Sequence, residues 1–268
     1  MTRRTFALAG AMYQVSGQTP PPGSEAQEMA GLHYYAPKNP ERVAMLVYPG
    51  MTALDLIGPN QALGYTAGMK VDLVWKTLDP VTTDTNFKIT PTATFQDLAG
   101  PVDLLFVPGG GKGTIDLMTD AAVLGFLAEK GKTARWVTSV CSGSLVLGAA
   151  GLLRGYRATS HWAVRDVLPS LGAELAPGRI VEDRNRITAG GVTAGIDFGL
   201  YLVGKLRGAD YGRAVELMLE YDPHPPFHSG APELAPENVR TAISAMYKPL
   251  NDAARAKAAT AKNNWSSL

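Results

Sequence analysis

The chain has 268 residues, of which 46% are hydrophobic and 18% charged, and its net charge is +1. That length suits one large α/β domain or two small ones, and the apolar content supports a sizeable core and argues against global disorder. A charge this close to zero gives no sign of a basic surface for nucleic acid, and a single cysteine excludes both an intramolecular disulfide and a cysteine-cluster metal site.

Of the four histidines, only His224 and His228 lie close together, so a metal site has little support. No run of 18 apolar residues exists, so no membrane-spanning helix is expected. The N-terminal "TRRTFAL" resembles a twin-arginine export signal, but the apolar stretch behind it is soon interrupted by Gln14, Ser16 and Gln18. Residues 1–40 are read as a disordered, non-working leader, with a cytoplasmic protein expected and periplasmic export as the alternative.

From Glu41 the pattern changes. "RVAMLVY" (42–48) is a continuous apolar run, followed by "PGMTALD" and a helix expected from Pro59 to about Ala67. "VDLVW" (71–75) and "VDLLFVPGGG" (102–111) are the next strand candidates, the second ending in a glycine cluster. A helix is expected near 121–130, a strand over "ARWVTSV" (134–140), a helix near 143–150 and a fifth strand over "YRATS" (156–160). Further helices are expected near 161–168, 195–207 and 210–221. Buried runs alternating with helices predict a doubly wound, mostly parallel α/β sheet sandwiched by helices. "GRIVEDRNRITAGG" (178–191) reads as two short strands around a polar turn, a small antiparallel addition. Residues 222–236 hold five prolines and read as extended, and 237–262 have helical composition. The domain is therefore placed at 41–221, with 222–268 as an extension.

The one cysteine, Cys141, stands in "TSVCSGS", where a central strand turns directly into a helix. Ligands of open α/β sheets bind at the carboxyl ends of strands. A sharp strand-to-helix turn lifts a nucleophile above that edge, and the helix N–H groups can hold an oxyanion and favour a thiolate. The bland alternative is a buried thiol acting as a small hydrophobe. The nucleophile-elbow pattern G-x-S-x-G is only half met, since Ser139 stands at the upstream glycine position.

Asp55, in "PGMTALDLIGP", is flanked by leucines at a second strand end. Its residue type and spacing favour a helix N-cap. The competing reading is a carboxyl near Cys141, its pKa raised by burial, acting as general acid and base. "VPGGGKGT" (107–114) lacks the full P-loop pattern, so nucleotide binding is weakly supported. Its glycines would instead let a backbone N–H approach a reacting atom.

In order along the chain, "AMLVYPGMTALDLIGP", "DLLFVPGGG", "VTSVCSGSLVLGAAGLL", "ATSHW" and "ITAGGVTAGIDFGL" resemble the DJ-1/PfpI family of the class I glutamine amidotransferase-like superfamily. The set is most similar to the branch that hydrates isocyanides and to the amidase-like domains of some AraC-type regulators. The resemblance implies a flavodoxin-like sandwich, a homodimer, a small-molecule substrate, no cofactor and no nucleic-acid or membrane partner. It implies that Cys141 is the nucleophile and Asp55 its acid partner, an aspartate where many relatives have glutamate. It also implies that Gly110 and Ser142 donate backbone N–H groups to an oxyanion. The Ser142 hydroxyl would keep a donor near the thiol, where the isocyanide branch carries threonine. His161 and Val192 would line the site, although His161 read by itself is more often a hydrogen-bonded structural histidine.

The expected activity is hydration of an isocyanide to an N-substituted formamide. The alternatives are a glyoxalase-like or amide-hydrolysing enzyme, a cysteine redox sensor, or a regulatory ligand-binding module without its partner domain. The last is disfavoured because the remaining chain is too short for a helix-turn-helix region.

Overall fold

The computed structural model describes residues 37–263 and 265; the leader reading of residues 1–36 lies outside the described residues. Strand β1 (Glu41–Leu46) is followed by α1 (Ala53–Gly64), β2 (Met69–Trp75), β3 (Val81–Thr82), β4 (Lys88–Ile89), β5 (Ala93–Thr94) and β6 (Leu104–Val107). Then come α2 (Lys112–Leu117), α3 (Ala121–Thr133), β7 (Trp136–Ser139), α4 (Gly143–Ala149), β8 (Arg157–Ala158) and a 3-10 helix (Arg165–Leu171). The chain continues through β9 (Glu174–Leu175), β10 (Ile180–Asp183), β11 (Arg186–Ala189), α5 (Ala194–Arg207), α6 (Ala209–Met218) and α7 (Glu237–Asn263).

Seven strands form the main sheet in the order β10-β11-β7-β6-β1-β2-β5. All neighbours are parallel except β10 and β11, which form the expected antiparallel hairpin. Residues Val43 to Tyr48 are all buried, as are Leu104 to Val107. Runs of this kind require a sheet covered on both faces. On one side α1 packs on α5 and α5 on α6; on the other α4 packs against α2, α3, the 3-10 helix and α7. From β1 the chain winds outward to β2 and β5, then returns to β6 and winds the other way to β7 and β11. The switch point, where loops diverge and leave a crevice, lies between β1 and β6.

Three sequence expectations are corrected. Helix α1 begins at Ala53, not Pro59, and the proline is interior. The extra turn is held by contacts remote in sequence: Asp84 Oδ1 accepts from Ala53 N–H at 3.3 Å, and Gly109 O accepts from Thr52 N–H at 2.9 Å. The strand expected over 156–160 shrinks to Arg157–Ala158, which pairs with β9 outside the main sheet. Thr159 N–H there donates to the Thr188 side chain at 2.9 Å, leaving β11 as the strand beside β7. The helix expected near 161–168 is a 3-10 helix over Arg165–Leu171, with Pro169 inside it and Gly172 closing it at φ 78°.

The C-terminal helix α7 is part of the packed body. Ala254, Ala258 and Ala261 are fully buried, a small-residue stripe at helical spacing that lets α7 lie close on its neighbours. Asn251 Nδ2 donates to Ala163 O at 2.7 Å, and Trp265 Nε1 donates to Ala149 O at 3.0 Å.

Candidate active site

Four loops at the carboxyl edge of the sheet converge. Asp55 follows β1, Gly109 and Gly110 follow β6, Cys141 follows β7 and Val192 follows β11. Because β7, β6 and β1 are adjacent, residues far apart in sequence meet over the middle strand.

Cys141 is buried and sits at φ 58°. A left-handed backbone costs a non-glycine residue on the order of 1–2 kcal/mol and persists only where its surroundings fix it. Here both backbone polar groups are held: Cys141 N–H donates to Gly190 O at 2.8 Å, and Cys141 O accepts from Ser160 Oγ at 2.9 Å. The turn is tight on its far side too. A Cβ at Gly143 would lie 2.3 Å from Val107 O, a contact no side chain can make.

Asp55 is fully buried. Its Oδ2 accepts from Gly109 N–H at 2.9 Å, while Oδ1 is buried without a hydrogen-bond partner among the described residues. Gly109 marks the centre of the site. A Cβ placed on it would lie 2.5 Å from Ser142 N, 2.8 Å from Asp55 Oδ2 and 2.8 Å from Cys141 Cβ. The N-cap reading of Asp55 is therefore corrected. Asp55 is in the first turn of α1, but its carboxyl turns away from that helix toward the β6 loop and the thiol.

Burial pushes the Asp55 pKa from 3.8 up to about 7, against the opposing pull of hydrogen bonds from Cys141 and Gly109; the charge of Asp84 adds to the rise. The Cys141 thiol is also raised, first by burial and then by the Asp55 charge, while hydrogen bonds from the Ser142 and Val192 backbone favour the thiolate. The expectation of a lowered thiol pKa is thus reversed: the N–H donors are present, but burial and the neighbouring carboxylate outweigh them. Two such groups titrate as a pair. With one proton between them, the pair can hold it on sulfur or on oxygen, and moving it from one to the other buries no additional charge.

Two implied donors have other partners. Gly110 N–H donates to Ser142 Oγ at 2.9 Å, and the Ser142 hydroxyl donates back to Gly110 O at 2.7 Å. Neither group is free to face the thiol. The Ser142 side chain ties the start of α4 to the glycine loop, and Thr114 Oγ1 lies 3.4 Å from Ser142 Oγ and 2.8 Å from the Tyr48 hydroxyl. The donors that reach sulfur are the Ser142 and Val192 backbone N–H groups. Val192 so stands beside the thiol, and His161 stands beside Val192: a Cβ on Gly191 would be 2.8 Å from His161 Cδ2. His161 Nδ1 accepts from Ala163 N–H at 3.3 Å, and burial lowers its pKa, which favours the uncharged ring.

Gly109, Ser160 and Thr114 escape the sequence reading. Gly109 and Ser160 lie in the quoted motifs, but only the fold shows which glycine and which hydroxyl touch Asp55 and Cys141.

A strained cysteine at a strand-to-helix turn, with a buried acid from a neighbouring loop, thus stands at the carboxyl edge of a doubly wound sheet. The sequence profile of the DJ-1/PfpI family matches residues 41–205, and the chain belongs to that family. It is 50% identical over 199 residues to the isonitrile hydratase of Pseudomonas putida, across 74% of this chain and 86% of that protein. It is 31% identical over 196 residues to the HTH-type transcriptional regulator GbdR of Pseudomonas aeruginosa, across 69% of this chain and 52% of the regulator. Among solved structures, a THiJ/PfpI family protein from Pseudomonas syringae superposes with a TM-score of 0.83 at 48% identity, over 90% of this chain and 97% of that one. Among the described residues no helix is long and apolar enough to cross a membrane.

Proposed function

We propose that the protein hydrates an isocyanide, R–N≡C, to the formamide R–NH–CHO, with Cys141 as nucleophile and Asp55 as the group that moves protons. The observation that carries this reading is the buried Asp55–Cys141 pair, with its raised Asp55 pKa of about 7 and orphan Oδ1, in a chain 50% identical to an isonitrile hydratase.

The cycle needs one proton on the pair. In the reactive form it resides on Asp55 and sulfur is a thiolate, held by the Ser142 and Val192 N–H groups. Sulfur attacks the terminal isocyanide carbon and an S–C bond forms. The electron pair left on that carbon takes the Asp55 proton, giving the thioformimidate R–N=CH–S–Cys141. Asp55, now a carboxylate, orients water. The water oxygen bonds to the same carbon, and one water proton passes by way of Asp55 to nitrogen. The C–S bond then breaks, the hydroxyl proton goes to Asp55, and the carbonyl forms. Thiolate and protonated Asp55 are restored, and the sum is R–NC plus water to R–NH–CHO. A carboxyl that titrates near neutrality can serve as acid in one step and base in the next. Two easier steps replace one difficult addition.

The adduct is the test. Wild type quenched during turnover should carry the mass of the isocyanide on Cys141, whereas Asp55→Asn, which can neither protonate the carbon nor take a proton from water, should release no formamide. An unshifted mass in quenched wild type, together with turnover by Cys141→Ala, would contradict covalent catalysis.

A further inference from the structure

The C-terminal helix reaches the site. Tyr247, on α7, has its ring centroid 5.3 Å from that of His161 and 5.8 Å from that of Trp162, edge-on to the indole. His161 and Trp162 are themselves 5.7 Å apart. His161 rests against Gly191, next to Val192, whose backbone faces sulfur. One turn further along α7, Asn251 bonds Ala163 O at 2.7 Å and Asp166 Oδ1 at 2.7 Å, which fixes this part of the helix on the 161–166 segment. The Tyr247 hydroxyl makes no hydrogen bond among the described residues. Ser160, next to His161, donates to Cys141 O at 2.9 Å, and Gly190, next to Gly191, accepts from Cys141 N–H at 2.8 Å, which brings this cluster to the cysteine turn. Burial, and then the Cys141 charge, raise the Tyr247 pKa.

We infer that Tyr247, with His161 and Trp162, forms an aromatic wall beside Cys141 that receives the nitrogen substituent of the substrate, and that Tyr247 selects planar aromatic substituents. This rests on the proposed reaction for the isocyanide, but the wall itself can be tested without it. An isocyanide that meets sulfur through its terminal carbon projects R away from the thiol, so whatever lines the way to sulfur meets R. Aromatic side chains favour aromatic partners by about 0.5–1.5 kcal/mol beyond area burial, a selectivity of about 3- to 10-fold.

The experiment compares wild type, Tyr247→Phe, Tyr247→Leu and Tyr247→Ala in two assays. One measures Cys141 alkylation by iodoacetamide and by N-phenyliodoacetamide, followed by intact mass. The other measures kcat/KM for methyl and phenyl isocyanide. The ratio of aryl to small reagent cancels any change in thiol ionisation. The expected result is a ratio that falls about 3- to 10-fold in Tyr247→Leu and Tyr247→Ala and is kept in Tyr247→Phe. A ratio that stays constant or rises in both Leu and Ala variants would overturn the inference, and the leucine variant keeps apolar volume in case alanine unsettles the helix. Should wild type turn over no isocyanide, the reaction reading fails, while the alkylation ratios still decide the wall.

Discussion

Asp84 caps the helix that carries Asp55, and in doing so places its charge where it raises the Asp55 pKa. Asp84 Oδ2 accepts from Thr52 Oγ1 at 2.8 Å, and Oδ1 accepts from Ala53 N–H at 3.3 Å. Thr52, the N-cap residue, makes no side-chain cap of its own. Asp84→Asn keeps an acceptor and removes the charge. The apparent pKa of Asp55, read from the acid limb of the Cys141 alkylation rate against pH, should fall in this variant. Because Asp84 is exposed, the difference should shrink in high salt. An unchanged limb at low salt would show that Asp84 acts only as a cap.

Asp55 makes stability depend on pH in a definite direction. Its folded pKa of about 7 lies above the ordinary 3.8, so between these values the folded state holds a proton that the unfolded chain has released. Stability should therefore be fully present below pH 3.8 and fall as pH rises toward 7, by on the order of 4 kcal/mol at most for a shift of this size. The raised thiol adds a further fall at alkaline pH. Asp55→Asn should flatten the neutral slope in urea melts at a series of pH values. A slope as steep as wild type would place the proton elsewhere.

The hydroxyl chain Tyr48–Thr114–Ser142 fixes the glycine loop against α4. Thr114→Val is close to isosteric and removes the bridging oxygen while Tyr48 keeps its 2.8 Å bond to Pro108 O. We expect a loss of about 1–3 kcal/mol in urea unfolding, and slower Cys141 alkylation as Ser142 loses a partner. Unchanged stability would mean that Thr114 is a spectator.

Gly109→Ala should disable the site with less effect on the fold. The added methyl meets Ser142 N, Asp55 Oδ2 and Cys141 Cβ, all groups of the proposed reaction centre. Gly143→Ala instead drives a methyl into backbone oxygens of β6 and the loop after it. Thermal melts and turnover measured together should separate the two. Gly109→Ala should lose at least tenfold in kcat/KM with a lowered melting temperature, and Gly143→Ala should lose the fold as well. Full turnover by Gly109→Ala would contradict the arrangement.

The sheet was legible because its central strands are continuous apolar runs ending in glycine or in the cysteine turn. The residues near sulfur were legible as a set from the five motifs. What could not be read was settled by contacts remote in sequence. The start of α1 depends on Asp84 and Gly109, so local propensity pointed to Pro59. The partners of Gly110 N–H and of the Ser142 hydroxyl depend on how two loops meet, so both looked like free donors. The thiol pKa depends on a balance between burial and N–H donors that spacing does not contain. Tyr247 depends on where a long helix docks, and an alanine-rich helix carries little information about its target.

The most direct measurement is formamide production from methyl and phenyl isocyanide by reduced wild type, Cys141→Ala and Asp55→Asn, with each variant shown to be folded by its thermal melt. The proposed cycle predicts turnover by wild type, none by Cys141→Ala, and at most a single covalent equivalent without release by Asp55→Asn. Formamide from folded Cys141→Ala at the wild-type rate, or none from folded, reduced wild type, would contradict it.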